Sequence, residues 1–405
     1  MRVLILTQYF YPEINAPSHR YKYLAGALVK AGHKVTVICE TPNYPRGEIF
    51  RGYRNRLVGK EKIDGISVIR SWVWITKRRD SFSRILNYFS FFVSSIFASI
   101  VAGKMDVVVA SSPPLPVIFS GLIISKVKRA KLVPDIRDIW PDSAIRVGMM
   151  ERGNFYRFME FLEKFVYRHS NKIMVNAEGI KKVLISNKQV PAEKIGVFTN
   201  GAELDLFKPD VDTSGIDEEF GLVGKFVVEY AGLIGLAQDP ETIISAAEKL
   251  KDNKDIVFLL VGEGPLKKKC EEKTRQLGLD NVIFAGEQPR AKMPAFVARA
   301  DLTLVTYKND EFFKGVIPSK IFDYMAAAKP VLINLDGEGA KIIKEAGCGV
   351  IAKAGDATDL VKELTKFYEE RSLLKMGLSG RKFVQENYDR DKISIAMLEF
   401  ISSLA

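Results

Sequence analysis

The chain has 405 residues, room for about two domains. Its 47% hydrophobic and 27% charged residues exclude a disordered chain, and three widely spaced cysteines (Cys39, Cys270, Cys348) exclude a disulfide framework or a cysteine-built metal site and predict a reducing compartment. The net charge of +11 is unevenly spread: residues 1–200 hold 32 Lys and Arg against 15 Asp and Glu, while residues 201–405 hold 28 against 34. This predicts a basic first domain that meets an anionic surface, either nucleic acid or membrane.

Met1-Arg2 runs straight into Val3–Leu6, which reads as a strand and not as the long apolar core of a signal peptide. Residues 1–40 read as strand, loop, helix, strand. Ser18 is placed to cap the helix, whose apolar positions include Tyr21, Leu24 and Leu28. In such βαβ units ligands gather at the carboxyl ends of the strands. The loop with Asn15, Ala16, Pro17 and Ser18 lies there, and His19 and Arg20 open the helix. No G-x-G-x-x-G fingerprint follows the first strand, so a nicotinamide or flavin dinucleotide is not indicated. Residues 41–80 are loop-rich and basic. From Ile85 to Gly103 no charge occurs, between Arg84 and Lys104. That approaches the length of a membrane span. Ser83, Asn87, Ser90 and Ser94 form a polar stripe, and Asp106–Ala110 resumes the strand pattern at once, so the segment reads as a buried or membrane-lying helix. A strand at Lys131–Asp135 leads into Asp135-Ile136-Arg137-Asp138-Ile139-Trp140-Pro141-Asp142. Carboxylates, an arginine and a tryptophan at one strand end make a candidate chemical site.

Turn residues from Thr199 to Pro209 mark a domain boundary. The second half repeats the strand–helix alternation, with glycines at strand ends: Gly232, Gly235, Gly262, Gly264 and Gly286. They let a ligand approach the backbone closely. The stretch Ile317–Val331 is the organising one. Pro318 and Ser319 suit a helix start, Ile321, Tyr324, Met325 and Ala328 make a buried stripe, and Lys320 and Asp323 lie three apart on another face. Together they are expected to grip one ligand, a phosphate at Lys320 and ribose hydroxyls at Asp323. The expected fold class is α/β, two Rossmann-like domains facing a cleft.

With these segments assembled, the sequence resembles the retaining glycosyltransferases of family 4, in the bacterial branch that assembles surface polysaccharides and includes N-acetylfucosamine transferases. The resemblance is carried by the Leu6–Pro17 loop with Gly32-His33, Asp138-Ile139-Trp140-Pro141, Asn200-Gly201 with Phe207 and Pro209, Tyr230-Ala231-Gly232, Val261-Gly262-Glu263-Gly264-Pro265, Gly286, and Pro318-Ser319-Lys320 through Pro330-Val331. It implies the B-type glycosyltransferase fold. An acceptor-binding, membrane-facing domain would occupy residues 1–200 and a nucleotide-sugar domain residues 201–385. A C-terminal helix (386–405) would be able to cross back to the first domain. No metal or cofactor would be needed.

The resemblance implies a UDP-sugar donor bound by Gly232, Gly235, Gln238, Gly286, Glu287, Pro318, Ser319, Lys320 and Asp323. It implies a catalytic group of Asp138, Arg137 and Lys320, and an acceptor side at Asn15, Ala16, Ser18, His19 and Arg20. Asp323 matches the second acidic residue of the family's Glu-x7-Glu motif. The first falls on Gly315, with Glu311 one turn away as a substitute. The usual pyrophosphate cations are replaced by Leu233 and Gln238, which leaves Lys320 as the leading cation. The expected activity is retaining, metal-independent transfer of an N-acetylated or deoxy sugar to a polyprenyl-diphosphate-linked saccharide in surface polysaccharide or O-antigen synthesis. The expected location is the cytoplasm, peripheral on the inner face of the plasma membrane, with no nucleic-acid partner. Two competing readings are a nucleotide-sugar 2-epimerase of the same architecture and a non-catalytic nucleotide-sugar-binding protein.

Overall fold

The computed structural model describes residues 1–78, 81–146, 150–370 and 375–404. Its contacts divide into two units, Met1–Thr199 with Asp391 onward, and Asn200–Arg390. Residues 386–390, expected in a C-terminal helix crossing back, therefore stay with the second unit.

The first unit runs β1 (Arg2–Leu6), α1 (Ala16–Lys30), β2 (Lys34–Glu40), β3 (Val58–Ile63), β4 (Ile66–Ser71), α2 (Ser81–Ala98), β5 (Val107–Ser112), α3 (Pro116–Lys128), β6 (Lys131–Ile136), α4 (Asp142–Arg146), α5 (Asn154–His169), β7 (Ile173–Val175), α6 (Glu178–Ser186) and β8 (Ile195–Val197). The sheet order is β3-β4-β2-β1-β5-β6-β7-β8. All pairings are parallel except the β3–β4 edge hairpin. That hairpin falls within the stretch expected to be loop. Lys60, Glu61 and Lys62 face an open edge, so β3 lacks the apolar run of a buried strand.

Alternation along the strands sorts the helices. Val3, Ile5, Val107 and Val109 meet α1 on one face. Leu4, Leu6, Val108 and Ala110 share a cluster with residues of α2, α3, α5 and α6 on the other.

The polar stripe of α2 faces inward. Asn87 accepts from Gln8 Nε2 at 2.6 Å and donates to the Trp74 carbonyl at 2.9 Å. Ser90 Oγ takes the Trp74 amide at 2.8 Å, and Ser94 Oγ meets Ser71 Oγ at 3.3 Å. The apolar side is the outer one: Phe82, Ile85, Phe89, Phe97 and Ile100 are all exposed. Phe82–Ala102 is long and apolar enough to cross a membrane by length and composition, yet its inner face packs on β2 and β4.

The second unit runs α7 (Ser214–Phe220), β9 (Phe226–Ala231), α8 (Pro240–Lys249), β10 (Ile256–Val261), α9 (Lys267–Gln276), β11 (Val282–Gly286), α10 (Met293–Arg299), β12 (Leu302–Thr306), α11 (Lys320–Ala326), β13 (Val331–Asn334), α12 (Glu338–Ala346), β14 (Gly349–Ile351), α13 (Ala357–Glu369) and α14 (Met376–Asn387). The last helix, α15 (Arg390–Ser402), supplies Met397 and Ile401 to the core beneath α1. The second sheet is parallel throughout, in the order β11-β10-β9-β12-β13-β14. This is the doubly wound 3-2-1-4-5-6 arrangement, whose order reverses between β9 and β12.

Close backbone approach fixes the loops at that end. The Gly232 amide donates to the Val261 carbonyl at 2.8 Å, the Ile234 amide to Glu263 at 2.9 Å, and the Gly262 amide to Gly286 at 2.8 Å. Gly262 has φ +148°, and a Cβ there would overlap the Gly232 carbonyl. Gly262→Ala is expected to cost about 1–3 kcal/mol of backbone strain. At the middle of that range the midpoint of thermal unfolding falls by about 4–8 °C. An unchanged midpoint in calorimetry would contradict this packing.

Candidate functional site

The reversal between β9 and β12 is where a doubly wound sheet opens a crevice at its strand ends. The loop after β9 holds Gly232, Gly235 and Gln238, and the Gln238 carbonyl accepts from Thr306 Oγ1 at the end of β12, 2.6 Å. Lys320, the first residue of α11, sends its Nζ back into this region. It rests 3.8 Å from the centroid of the Tyr230 ring and crowds the space a Cβ on Gly232 would need. The Nζ is buried and has no hydrogen-bond partner. Burial brings the lysine down to about 7, against the pull of Glu229, which favours the charged form. A desolvated ammonium at a crevice fits a ligand carrying strong anionic acceptors. Pro318 is buried and Ser319 precedes the helix, but no Ser319 side-chain bond caps it. α11 is seven residues long, and Ala328 of the expected stripe lies beyond its end.

Lys320 and Asp323, expected to grip one ligand from a shared face, stand in different surroundings: Lys320 Nζ is unpartnered and Asp323 is paired. Asp323 Oδ2 takes Arg290 Nη1 at 3.2 Å. Arg290 Nη2 reaches Glu203 at 2.8 Å, its guanidinium lies 4.7 Å over the Phe207 ring, and Arg390 Nη1 meets the same Glu203 oxygen at 2.6 Å. The other Asp323 oxygen, Oδ1, is buried and unpartnered. Burial raises the Asp323 carboxyl against the opposing pull of Arg290 and Arg390. Arg290, Glu203 and Glu229 escaped the sequence reading. Arg290 and Glu203 lie 33 and 87 residues from the groups they meet, and no local spacing announces them.

Gly286 closes β11, and Glu287 beside it is exposed. Glu311 does not fill the place of Gly315. Its side chain is 81% exposed and pairs with Lys314 at 2.5 Å on the turn Glu311–Gly315.

In the first unit the corresponding reversal lies between β1 and β5. Asn15, not Ser18, caps α1: its Oδ1 accepts the Ser18 amide at 2.9 Å. Ala16 begins the helix, Ser18 is buried, and the His19 amide donates to the Asn15 carbonyl at 3.1 Å. Arg20 is not an acceptor-side surface residue. Its Nε and Nη2 clasp Asp135 at 2.7 and 3.0 Å, and Nη1 reaches the Phe198 carbonyl at 2.8 Å. Tyr21 OH also donates to Asp135, 2.9 Å.

The other carboxylates after β6 are sorted in the same way. Asp142 joins Glu163 and Glu160 around Lys188 Nζ, at 2.9, 2.9 and 3.2 Å. Burial raises the Asp138 carboxyl, against the support of the Ser143 side chain, the Ile139 amide and the charge of Arg137. Arg137 Nη2 holds Ser111 Oγ at 2.9 Å and the Pro113 carbonyl at 3.1 Å. Asp138 and Arg137 thus stand at the strand ends beside the β1–β5 reversal. Among the described residues no group of three or more His, Cys, Asp or Glu is placed to hold a metal ion.

Comparison with known proteins agrees with this architecture. Residues 16–201 match the family model "Glycosyl transferase 4-like domain", and residues 216–383 match "Glycosyl transferases group 1". Both models describe glycosyl transferases, and together they span most of the chain. The chain carries two glycosyl transferase domains.

The transferase is 26% identical to the putative colanic acid biosynthesis glycosyl transferase WcaI of Escherichia coli, over 83% of this chain and 84% of that one. It is 25% identical to the probable glycosyltransferase WbjE of Pseudomonas aeruginosa, over 74% and 75%. Among solved structures, Anabaena HepE in complex with UDP and glucose matches over the full length of both chains, with TM-score 0.75 and 17% identity. WaaG, a glycosyltransferase involved in lipopolysaccharide biosynthesis, matches over 99% of both, with TM-score 0.70 and 15% identity. The fold is the B-type glycosyltransferase fold.

Arg20→Met removes the guanidinium and leaves Asp135 buried with the Tyr21 hydroxyl alone. The expected cost is about 3–5 kcal/mol, measured by urea unfolding. A loss below about 1 kcal/mol, the range of an exposed pair, would return Arg20 to the expected acceptor-side role.

Proposed function

We propose that this transferase moves an N-acetylated or deoxy sugar from a UDP-sugar to a polyprenyl-diphosphate-linked saccharide, with retention and without a metal, during surface polysaccharide synthesis. The observation that carries the donor half is the buried, unpartnered Nζ of Lys320 beside Gly232. Cleaving a sugar–phosphate bond builds negative charge on the leaving diphosphate. A fixed cation at that point acts where charge develops. Asp323 Oδ1, buried and unpartnered, is suited to a ribose hydroxyl. The UDP bound to the Anabaena homologue in fold supports this choice of nucleotide, and the WcaI and WbjE names support bacterial polysaccharide chemistry.

On the acceptor side, Asp138 is the carboxylate left without a cationic clasp. Its role is to orient the acceptor hydroxyl or stabilise the positive sugar ring, with Arg137 beside it. Attack on the face the leaving phosphate vacates, assisted by that phosphate, accounts for retention without a protein nucleophile.

A lipid-linked acceptor calls for a membrane-facing surface on the first unit. α2 packs on α3 and α3 on α5, and all three leave apolar side chains outside. Phe158, Phe161 and Phe165 of α5 and Val127 of α3 are exposed alongside the outer face of α2. Arg84, Lys104, Lys126, Arg129, Arg157 and Arg168 are exposed among them. Aromatic and aliphatic groups interspersed with cations suit an anionic bilayer surface. The transferase would then lie on the cytoplasmic face of the plasma membrane.

Two measurements test the two halves. UDP is expected to raise the thermal midpoint of the wild-type protein, and Lys320→Met to weaken UDP by about tenfold or more. Equal affinities would remove Lys320 from the donor site. The wild type is expected to co-sediment with phosphatidylglycerol vesicles at low salt, and Phe158→Glu with Phe161→Glu to reduce this by about tenfold or more. Undiminished sedimentation would place the contact elsewhere.

A further inference from the structure

Five of the six residues of β9 are what a central parallel strand needs, namely Phe226, Val227, Val228, Tyr230 and Ala231. The sixth is Glu229, 0% exposed, with both carboxylate oxygens unpartnered. Its register neighbours are Leu259 on β10 and Thr303 on β12. By alternation it points to the face of Val227 and Ala231, which lies under Ile321, Phe322 and Met325 of α11. A carboxyl group here contributes nothing to packing that a valine would not. The cations acting on it are Lys320, at the start of α11, and Lys329, just beyond its end. Tyr324 on the same face also feels Glu229, and its hydroxyl accepts the Ala231 amide at 3.0 Å; Cys348, Tyr307 and Tyr388 belong to the same cluster.

Lys320 and Glu229 act on each other without touching, since neither has a hydrogen-bond partner. For both, burial outweighs the attraction. The lysine is brought down to about 7 and the carboxyl raised to about 8. A carboxylate in contact would saturate Lys320 and compete with an anionic ligand. One held out of contact biases the lysine toward its charged form and leaves its N–H groups free.

We infer that Glu229 is a positioning residue that tunes the charge of Lys320 from beneath, so that binding of a nucleoside diphosphate at Lys320 is coupled to uptake of a proton. The inference rests on the donor reading above and adds its regulation. In the empty site above neutral pH, part of the Lys320 population is neutral. The arriving diphosphate pairs only with the ammonium and draws a proton from solution. Affinity therefore falls as pH rises, by up to about tenfold per pH unit once the free lysine is mostly neutral. Glu229 slows that fall once it ionises, above about pH 8. Removing the carboxyl lets burial act on Lys320 unopposed there, and the fall stays steep.

The test measures the Kd of UDP-glucose between about pH 6 and 9 for the wild type and for Glu229→Gln, a range in which the ligand's phosphates keep their charge. The wild type is expected to weaken with rising pH. Glu229→Gln is expected to follow the wild type near neutrality, where the carboxyl is protonated, and to fall away from it above about pH 8, giving up to about tenfold poorer binding near pH 9. Coincident profiles would overturn the inference and leave the donor reading standing. Absence of wild-type binding at every pH would overturn both. If Glu229→Gln fails to fold, calorimetry of the wild type near pH 8 in two buffers of different ionisation enthalpy decides: a fraction of a proton taken up supports the coupling, and none overturns it.

Discussion

The account turns on one cation kept out of water without a partner. An ammonium buried beside an aromatic face and a glycine turn, with no oxygen in reach, is an unfavourable arrangement in isolation. It persists because the surroundings over-determine it. α11 is locked by Ile321, Phe322, Tyr324 and Met325, all buried in one cluster, so its first residue cannot swing freely to solvent. Tyr230 supplies a ring face and Gly232 supplies the space. Such a site suits an anion. A site built this way is electrostatically prepared before its ligand arrives, and the reorganisation that water would otherwise demand has been met by folding.

The scaffold that holds the lysine is used twice. Each unit has a parallel sheet whose strand order reverses once, between β1 and β5 in the first and β9 and β12 in the second. At each reversal the adjoining loops diverge and leave polar side chains at the strand ends. In the second unit glycines let three such loops hydrogen-bond side by side. In the first, the Arg20–Asp135 clasp fixes the start of α1 against β6, while Asp138 has the neighbouring Arg137 acting on it without an ion pair among the described residues. The same charge chemistry thus serves structure at Asp135 and Asp142 and is held open at Asp138.

Much of this was legible in the sequence because burial writes periodic patterns. The apolar runs of β5, β9 and β10, the stripe of α11 and the strand-end glycines were each readable from local spacing. What depends on distant partners was not. The polar stripe of α2 was visible, but its direction was not: Gln8 and Trp74 draw Asn87 and Ser90 inward and turn the apolar side out. Arg20 was read as an acceptor-side residue because its partner Asp135 is 115 residues away. Asp323 was found but its Arg290 was not, and Glu229 was hidden within an otherwise apolar strand. The β3–β4 hairpin was lost to its charged edge.

The outward apolar faces of α2, α3 and α5 and the buried lysine are the two features on which the proposed transfer from a UDP-sugar to a lipid-linked acceptor rests. The most direct test of the central claim is a crystal structure of the protein soaked with UDP. The account predicts a β-phosphate oxygen about 3 Å from Lys320 Nζ, beside Gly232, with a ribose hydroxyl at Asp323 Oδ1. Diphosphate density elsewhere, with Lys320 still resting on Tyr230 and unpartnered, would contradict it.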